Sequence, residues 1–358
     1  MILLREIQER DLASLERLAQ IPGFINLQND RDFLIEKIQR SQASFRSAPG
    51  RAGEKAESGG DDSKYIFVAE DLETGAIVGT SMIAAQHGTE DEPHFYFEVG
   101  SEEKYSKSIG TGFIHGTLKL KQDTDGPSEI GGLVIDPMYR NSEARLGRQI
   151  SFVRFLYLAM NRERFRKNIL AELLPPLNKK GQSPLWEAIG RRFTNMDYWE
   201  ADRLCQQDKE FIFSLFPAGK IYTTFLPADA RNAIGKVGKD TEPVLHMLKK
   251  IGFRYRNQVD PFDGGPHLWA KRDELVPLRK ARRARFSGGE VRETEGAAEQ
   301  GLLCRVAQEP GTFRAAHVLA EVSKDGVRLV FKRADDQAAL DRALGIRPGD
   351  EVVFMPYY

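Results

Sequence analysis

The residues best placed to do chemistry follow the end of an apolar run. Ile130-Gly-Gly-Leu-Val-Ile-Asp-Pro137 reads as a buried strand, apolar through Ile135 and stopped by Pro137, which has no amide for a sheet ladder. Arg140, Arg145, Gly147 and Arg148 come next, ahead of a helix from Gln149 to about Phe165. A helix start with glycine and arginines presents free amides and positive potential, which suits a pyrophosphate. A strand that stops making ladder bonds at the same place can offer its backbone to an extended ligand arm. Elsewhere the signals are sparse. Cys205 and Cys304 lie far apart, and His94, His115, His246 and His267 have no ligand-like spacing, so no metal is expected. No cysteine stands beside a partner histidine, which favours direct transfer over a covalent intermediate.

The helix after the turn carries Ile150, Phe152, Val153, Phe155, Leu156, Leu158, Ala159 and Met160, apolar nearly all round, as in a helix packed on more than one side. Ile169–Leu173 returns to the sheet. Upstream, Ile2–Ile7 reads as a strand, Asp11 as the N-cap of a first helix, and residues 30–44 as a second helix. Residues 47–62, rich in Gly, Ala, Ser and charge, are expected to be a mobile loop. Lys64–Glu70 and Ala76–Ala84 are expected to form a hairpin, and Phe95–Val99 to extend the sheet. This order, with the arginine-glycine turn, is the sequence shape of an acyl-coenzyme A site in the GNAT-type N-acetyltransferase fold.

Composition narrows the class. The chain of 358 residues is 41% hydrophobic and 29% charged, values of a soluble globular protein long enough for two or three domains. Fifty-two basic residues balance fifty-two acidic ones, so no global field points to nucleic acid or an anionic membrane. No run reaches the roughly 18 apolar residues of a membrane span. The N-terminus lacks a signal-peptide pattern, and the sparse cysteines fit a reduced, cytoplasmic setting.

Two later segments echo each other. Pro184 opens a short helix ending at Gly190, and Pro243 opens another ending at Gly252. The echo predicts an α/β (α+β) protein of tandem N-acetyltransferase-like halves, residues 1–180 and 181–279. A basic, solvated linker over residues 280–300 and a small β-rich domain over 301–358 complete it.

With these segments in order, the chain resembles the arginine N-succinyltransferase family over almost its whole length. Arg5–Leu12, Phe67–Gly75, Leu133–Pro137, Gly181–Trp186, Gly190–Phe193, Ile221–Leu226, Gly252–Asn257 and Phe262–Pro266 carry the likeness. The resemblance implies succinyl transfer from succinyl-CoA to the α-amino group of arginine, in some members also ornithine, by a homo- or hetero-oligomer. It puts the succinyl-CoA contact on Leu133. Ile135, Arg145, Gly147 and Arg148 join it as the expected cofactor-binding set, although the family's turn is shorter and has two glycines.

A second departure concerns the proton. The family's histidine falls in an Ile-Gly-x-Val-His run, which here is Ile234-Gly-Lys-Val-Gly238, and Thr224 replaces a second histidine. Loss of a positioned acid or base typically costs about 100- to 10,000-fold in rate. Three readings follow. His246 serves instead, or an ordered water does with Glu172 or Asp197 as relay, or the chain is a catalytically altered subunit that binds CoA or takes another amine. For the substrate, Asp197, Asp202, Asp260 and Asp263 are candidates for the guanidinium, with Asp197 and Asp263 favoured. Arg254 leads the candidates for the carboxylate, ahead of Arg191, Arg192 and Arg256.

Overall fold

A computed structural model describes residues 1–21, 30–47, 62–140, 145–205, 210–292, 298–306, 312–324 and 326–358. The predicted loop over residues 47–62 lies almost wholly outside them. Ten strands form the main sheet: β1 (Ile2–Glu6), β2 (Lys64–Asp71), β3 (Ile77–Ala84), β4 (His94–Ser106), β5 (Thr111–Asp123), β6 (Ser128–Ile135), β7 (Asn168–Glu172), β8 (Ile221–Tyr222), β9 (Arg254–Val259) and β10 (Pro266–Lys271). Their order in space is β1-β2-β3-β6-β7-β10-β9-β4-β5-β8. Only β6 and β7 are parallel neighbours among them, joined by the crossover helix that the sequence predicts.

The helices of this part are α1 (Leu12–Ala19), α2 (Arg31–Arg46), α3 (Leu146–Met160), α4 (Pro184–Ala188), α5 (Gly190–Thr194), α6 (Tyr198–Cys205), α7 (Glu210–Leu215), α8 (Ala228–Ala233), α9 (Glu242–Ile251) and α10 (Val276–Lys280). On one face of the sheet Leu34 and Ile38 of α2 pack with Ile66, Val68, Ile77 and Val134. On the other, Phe152, Val153, Phe155 and Leu156 of α3 pack with Phe67, Ile169 and Ala171.

The two-half reading needs correction. The described residues contain one core with the element order expected of the acetyltransferase fold, β1-α1-α2-β2-β3-β6-α3-β7-α9-β9-β10, interrupted by the β4–β5 hairpin and by the segment from α4 to α8. Residues 181–279 place β8, β9 and β10 in the same sheet rather than building a second one. Only α9 occupies the place after the fifth core strand. The earlier proline-started helix, α4, packs Leu185 and Trp186 with Phe216 and Val259 in a separate cluster.

The chain then enters β11 (Arg282–Val291), β12 (Glu299–Arg305), β13 (Arg314–Ser323), β14 (Gly326–Phe331), helix α11 (Ala334–Leu344) and β15 (Glu351–Pro356). The order β12-β15-β11-β14-β13 closes on itself through β12–β13 pairing, so these five strands form a barrel. Arg282–Val291, expected as linker, is therefore a barrel strand, and its arginines reach partners such as Glu351 at 2.6 Å. Closure removes the exposed edges that a small open sheet would leave.

Strand β1 is shared between the two units. It pairs with β2 on one side and β13 on the other. By strand alternation Leu3 enters the barrel core and Leu4 the α3 core. The outer face of the barrel, Leu302, Cys304, Val353 and Met355, also joins the α3 core. That is why α3 is apolar all round: it is held between sheet and barrel. No helix among the described residues is long and apolar enough to cross a membrane.

Asp11 does not cap α1 with its side chain. Its carboxylate instead makes a two-pronged contact with Arg5 of β1, at 2.7 and 2.8 Å, and accepts from the Gln8 amide at 2.8 Å. Arg5 also donates to Glu70 at 2.5 Å, and it is 2% exposed. Asp11→Ala is expected to lower stability by about 3 kcal/mol, because it strips a buried guanidinium of its best partner. Urea denaturation checks this; a loss under about 1 kcal/mol would mean that Glu70 alone suffices.

Candidate active site

The donor side of the site begins where two strands part. β6 and β7 pair only at Ser128 with Ile169 and Glu129 with Leu170. Beyond that point β6 keeps its ladder to β3 but carries a bulge. Met82 pairs with Gly131 and Thr80 with Val134, so Gly132 and Leu133 stand opposite Ser81 alone. Gly132 adopts φ +56°, a left-handed conformation that costs a side chain strain and glycine little. On the α3 side, Arg154 fills the back of the opening. It is 2% exposed and donates to the Gly131 carbonyl at 3.2 Å and to Ser151. Burial lowers its pKa to about 9.

The first turn of α3 closes the far end. A Cβ on Gly147 would sit 2.9 Å from Cδ1 of Ile135, so glycine lets the helix start lie against the end of β6. Asp136, next in the chain, is fixed by a contact with Arg17 of α1 and accepts from the Met138 amide at 3.0 Å. Arg145, at the N-cap, is exposed with φ 48°. Residues 141–144 of the turn lie outside the described residues. Leu133, Ile135 and Gly147 thus come together around one opening. Arg148 points elsewhere: its guanidinium lies over the Tyr357 ring at 4.5 Å and bonds the Tyr358 backbone oxygen.

The other face of the same opening carries ionisable groups that sequence spacing did not reveal. Ile169 and Ala171 face α3, so Glu172 faces the α2 side. His267 is its register partner on β10, His94 opens β4, and His87 follows β3. Glu172 Oε1 lies 3.4 Å from His267 Nε2, 3.7 Å from His94 Nδ1 and 3.7 Å from His87 Nε2. His87 Nδ1 is 3.1 Å from Glu129 Oε2. Burial drives His267 down to a pKa of about 3, so its imidazole is neutral at physiological pH.

The turn holding His87 is built by close approach. Its amide donates to the Pro127 carbonyl at 2.7 Å, and a Cβ on Gly126 would fall 1.8 Å from the His87 carbonyl oxygen. Only glycine fits there.

Beside this cluster lies an acidic floor. Asp260 accepts from the Phe262 and Asp263 amides, and Asp263 from the Gly265 amide at 2.7 Å. Burial first, then the Asp260 charge, pushes Asp202 up to about 7 and raises Asp263 as well. Burial, with help from Lys64, lowers Lys37 of α2 to about 7.

The remaining sequence candidates do not converge here. Asp197 is exposed and accepts from the Glu200 amide at the start of α6. Arg254 is exposed on β9, opposite Trp269. His246 is exposed on α9, whose Leu248 and Ile251 are the buried positions. Gly238 does lie close by: its amide donates to the Leu174 carbonyl at 3.0 Å, just past the end of β7. Trp186 is core, fully buried and stacked on Phe262 at 4.8 Å. His87, His94 and Glu129 were missed because their contacts are cross-strand and remote in sequence.

Comparison with known proteins gives a consistent result. The protein family described as arginine N-succinyltransferase beta subunit matches residues 2–277. An arginine N-succinyltransferase of Citrobacter koseri is 35% identical over 356 residues, 98% of this chain and 96% of that protein. One of Salmonella paratyphi B is 36% identical over 358 residues, with the same coverage. Among solved structures, arginine/ornithine succinyltransferase subunit AI from Pseudomonas aeruginosa aligns with a TM-score of 0.80 and 27% identity, covering 99% of this chain and 98% of that one.

Asp202 supplies a test of the acidic floor. Its folded pKa of about 7 exceeds the ordinary value of 3.8, so between those limits the folded state holds the extra proton. Stability therefore falls as pH rises through that window, and the full penalty is present above it. Asp202→Asn is expected to raise the urea midpoint clearly at pH 8 and less at pH 5. Equal shifts at both values would contradict the assignment.

Proposed function

Because this chain belongs to the arginine N-succinyltransferase family, we propose that it transfers a succinyl group from succinyl-CoA to the α-amino group of arginine. The observation that carries the reading is the opening between β6 and β7, with an apolar, backbone-rich wall on one side and carboxylates on the other.

The donor lies along the bulged end of β6. Backbone groups at Gly132 and Leu133 have left the regular ladder and are the ones able to bond a pantetheine arm. The start of α3, with Gly147 against Ile135, receives the pyrophosphate through free amides. Arg145 adds charge there. Arg148, taken by Tyr357 and Tyr358, steadies the helix start from behind.

The acceptor enters from the α2 side. Burial raises Asp202 and the Asp260 charge adds to the shift, and a guanidinium between the two carboxylates would relieve their repulsion. In the reaction the neutral α-amine attacks the thioester carbonyl carbon. The C–N bond forms, the C–S bond breaks, and the amine proton ends on the departing CoA thiolate. Gly238 offers no side chain to relay that proton. Glu129 does: it is the last residue of β6 paired with β7, is 6% exposed, and is backed by His87.

Release of free CoA by the purified chain tests this, with succinyl-CoA and arginine, ornithine or lysine offered separately. Arginine-dependent release is expected, and Glu129→Gln should lower kcat by about 100- to 10,000-fold with little change in the KM for succinyl-CoA. Tight succinyl-CoA binding without release for any amine would overturn the single-chain enzyme in favour of a CoA-binding subunit.

A further inference from the structure

The distances around Glu172 are those of ligands sharing an ion. Hydrogen bonds from nitrogen to oxygen run at about 2.7–3.2 Å. Donor atoms bound tetrahedrally at about 2.0–2.1 Å from a zinc-class ion stand about 3.3 Å apart. The three imidazole nitrogens lie 3.4, 3.7 and 3.7 Å from Glu172 Oε1, close to the second value and outside the first. His87, His94 and Glu172 can bring their ligand atoms within 4.8 Å of one another, and so can Glu172, Asp260 and His267.

His267 supplies an independent observation. It is 0% exposed, and neither of its ring nitrogens has a hydrogen-bond partner. A fully buried imidazole in that state calls for a ligand. The cluster also has the outer support typical of metal sites. His87 is 3.1 Å from Glu129 through Nδ1, which leaves Nε2 directed toward Glu172. Two histidines and one carboxylate suit zinc and its first-row neighbours better than magnesium or calcium, which prefer all-oxygen shells.

We propose that His87, His94 and Glu172 form a binding site for one divalent transition-metal ion of the zinc class, with His267 held behind Glu172. The ligands come from β4, β7 and the turn after β3, so the ion would tie three segments together at the mouth of the β6–β7 opening. The site stands on geometry alone and does not depend on the acyl-transfer reading. With Glu172 engaged by the ion, Glu129 remains the carboxylate at the opening.

The test uses the full-length chain, stripped with a chelator and titrated with zinc and then cobalt. Calorimetry should give about one zinc per chain, and the cobalt form should show the intense visible absorption of a tetrahedral N/O site. His87→Ala and His94→Ala should each weaken zinc binding by about 100-fold or more, beyond the loss typical of an outer-shell change. Exposed His246→Ala should leave it unchanged. Retained zinc affinity in both cluster variants would overturn the proposal. So would wild-type protein that binds far less than one ion or gives a purely octahedral cobalt spectrum, a result that needs no variant to fold. Either outcome would make the cluster an acid–base relay only.

Discussion

Two parallel strands that stay paired for only two residues set the design of this molecule. Every other neighbour in the main sheet is antiparallel, and a parallel pair must be joined by a crossover. The crossover here is α3, and it brings its own first turn and a buried arginine to the place where the strands part. The bulge at Gly132–Leu133 turns β6 away from β7, and Arg154 takes the carbonyl that the bulge releases. Backbone groups freed inside a protein must find partners. An opening held in this way is prepared for a ligand with its own amide groups. The barrel serves the same end: it covers the side of α3 that the sheet cannot reach.

The ionisable groups on the other side of the opening carry a stability cost. Asp202 is forced toward its neutral form by burial and by Asp260, and His267 is buried without a hydrogen bond. Contrast Arg5, buried like His267 but matched by Asp11 and Glu70. The first kind of burial is tolerated where a ligand supplies the missing partner, the second where the fold does. Strained electrostatics of this sort concentrate at functional sites.

Much of the donor side was legible in the sequence because it is contiguous. An apolar run, a proline stop, a glycine and an all-round apolar helix occupy one stretch, and they became β6, the turn and α3. Position along the chain did not reveal where Arg148 would point, since its partners are Tyr357 and Tyr358. On the acceptor side the sequence offered the carboxylates Asp202, Asp260, Asp263 and Glu172 as candidates but not the histidines beside them. His87, His94 and His267 meet only through cross-strand pairing, and no spacing rule links them. Strand β5 went unread although Leu118-Lys119-Leu120-Lys121 alternates as a half-buried strand does, because Gly112, Gly116 and the adjacent Phe113 and Ile114 break the pattern in its first half. Strand β11 was hidden because its arginines look like a linker until Glu351 is placed opposite. The repeated proline-started helix misled because a local signal repeats easily, whereas a sheet does not.

The central claim is that the acyl donor lies in the opening between β6 and β7. Backbone hydrogen exchange, measured with and without CoA, addresses it most directly. Slowed exchange is expected in peptides spanning Gly131–Ile135 and Leu146–Gln149, with the barrel strands unchanged. Saturating CoA that slows exchange only elsewhere, in the β4–β5 hairpin or the barrel, would contradict it.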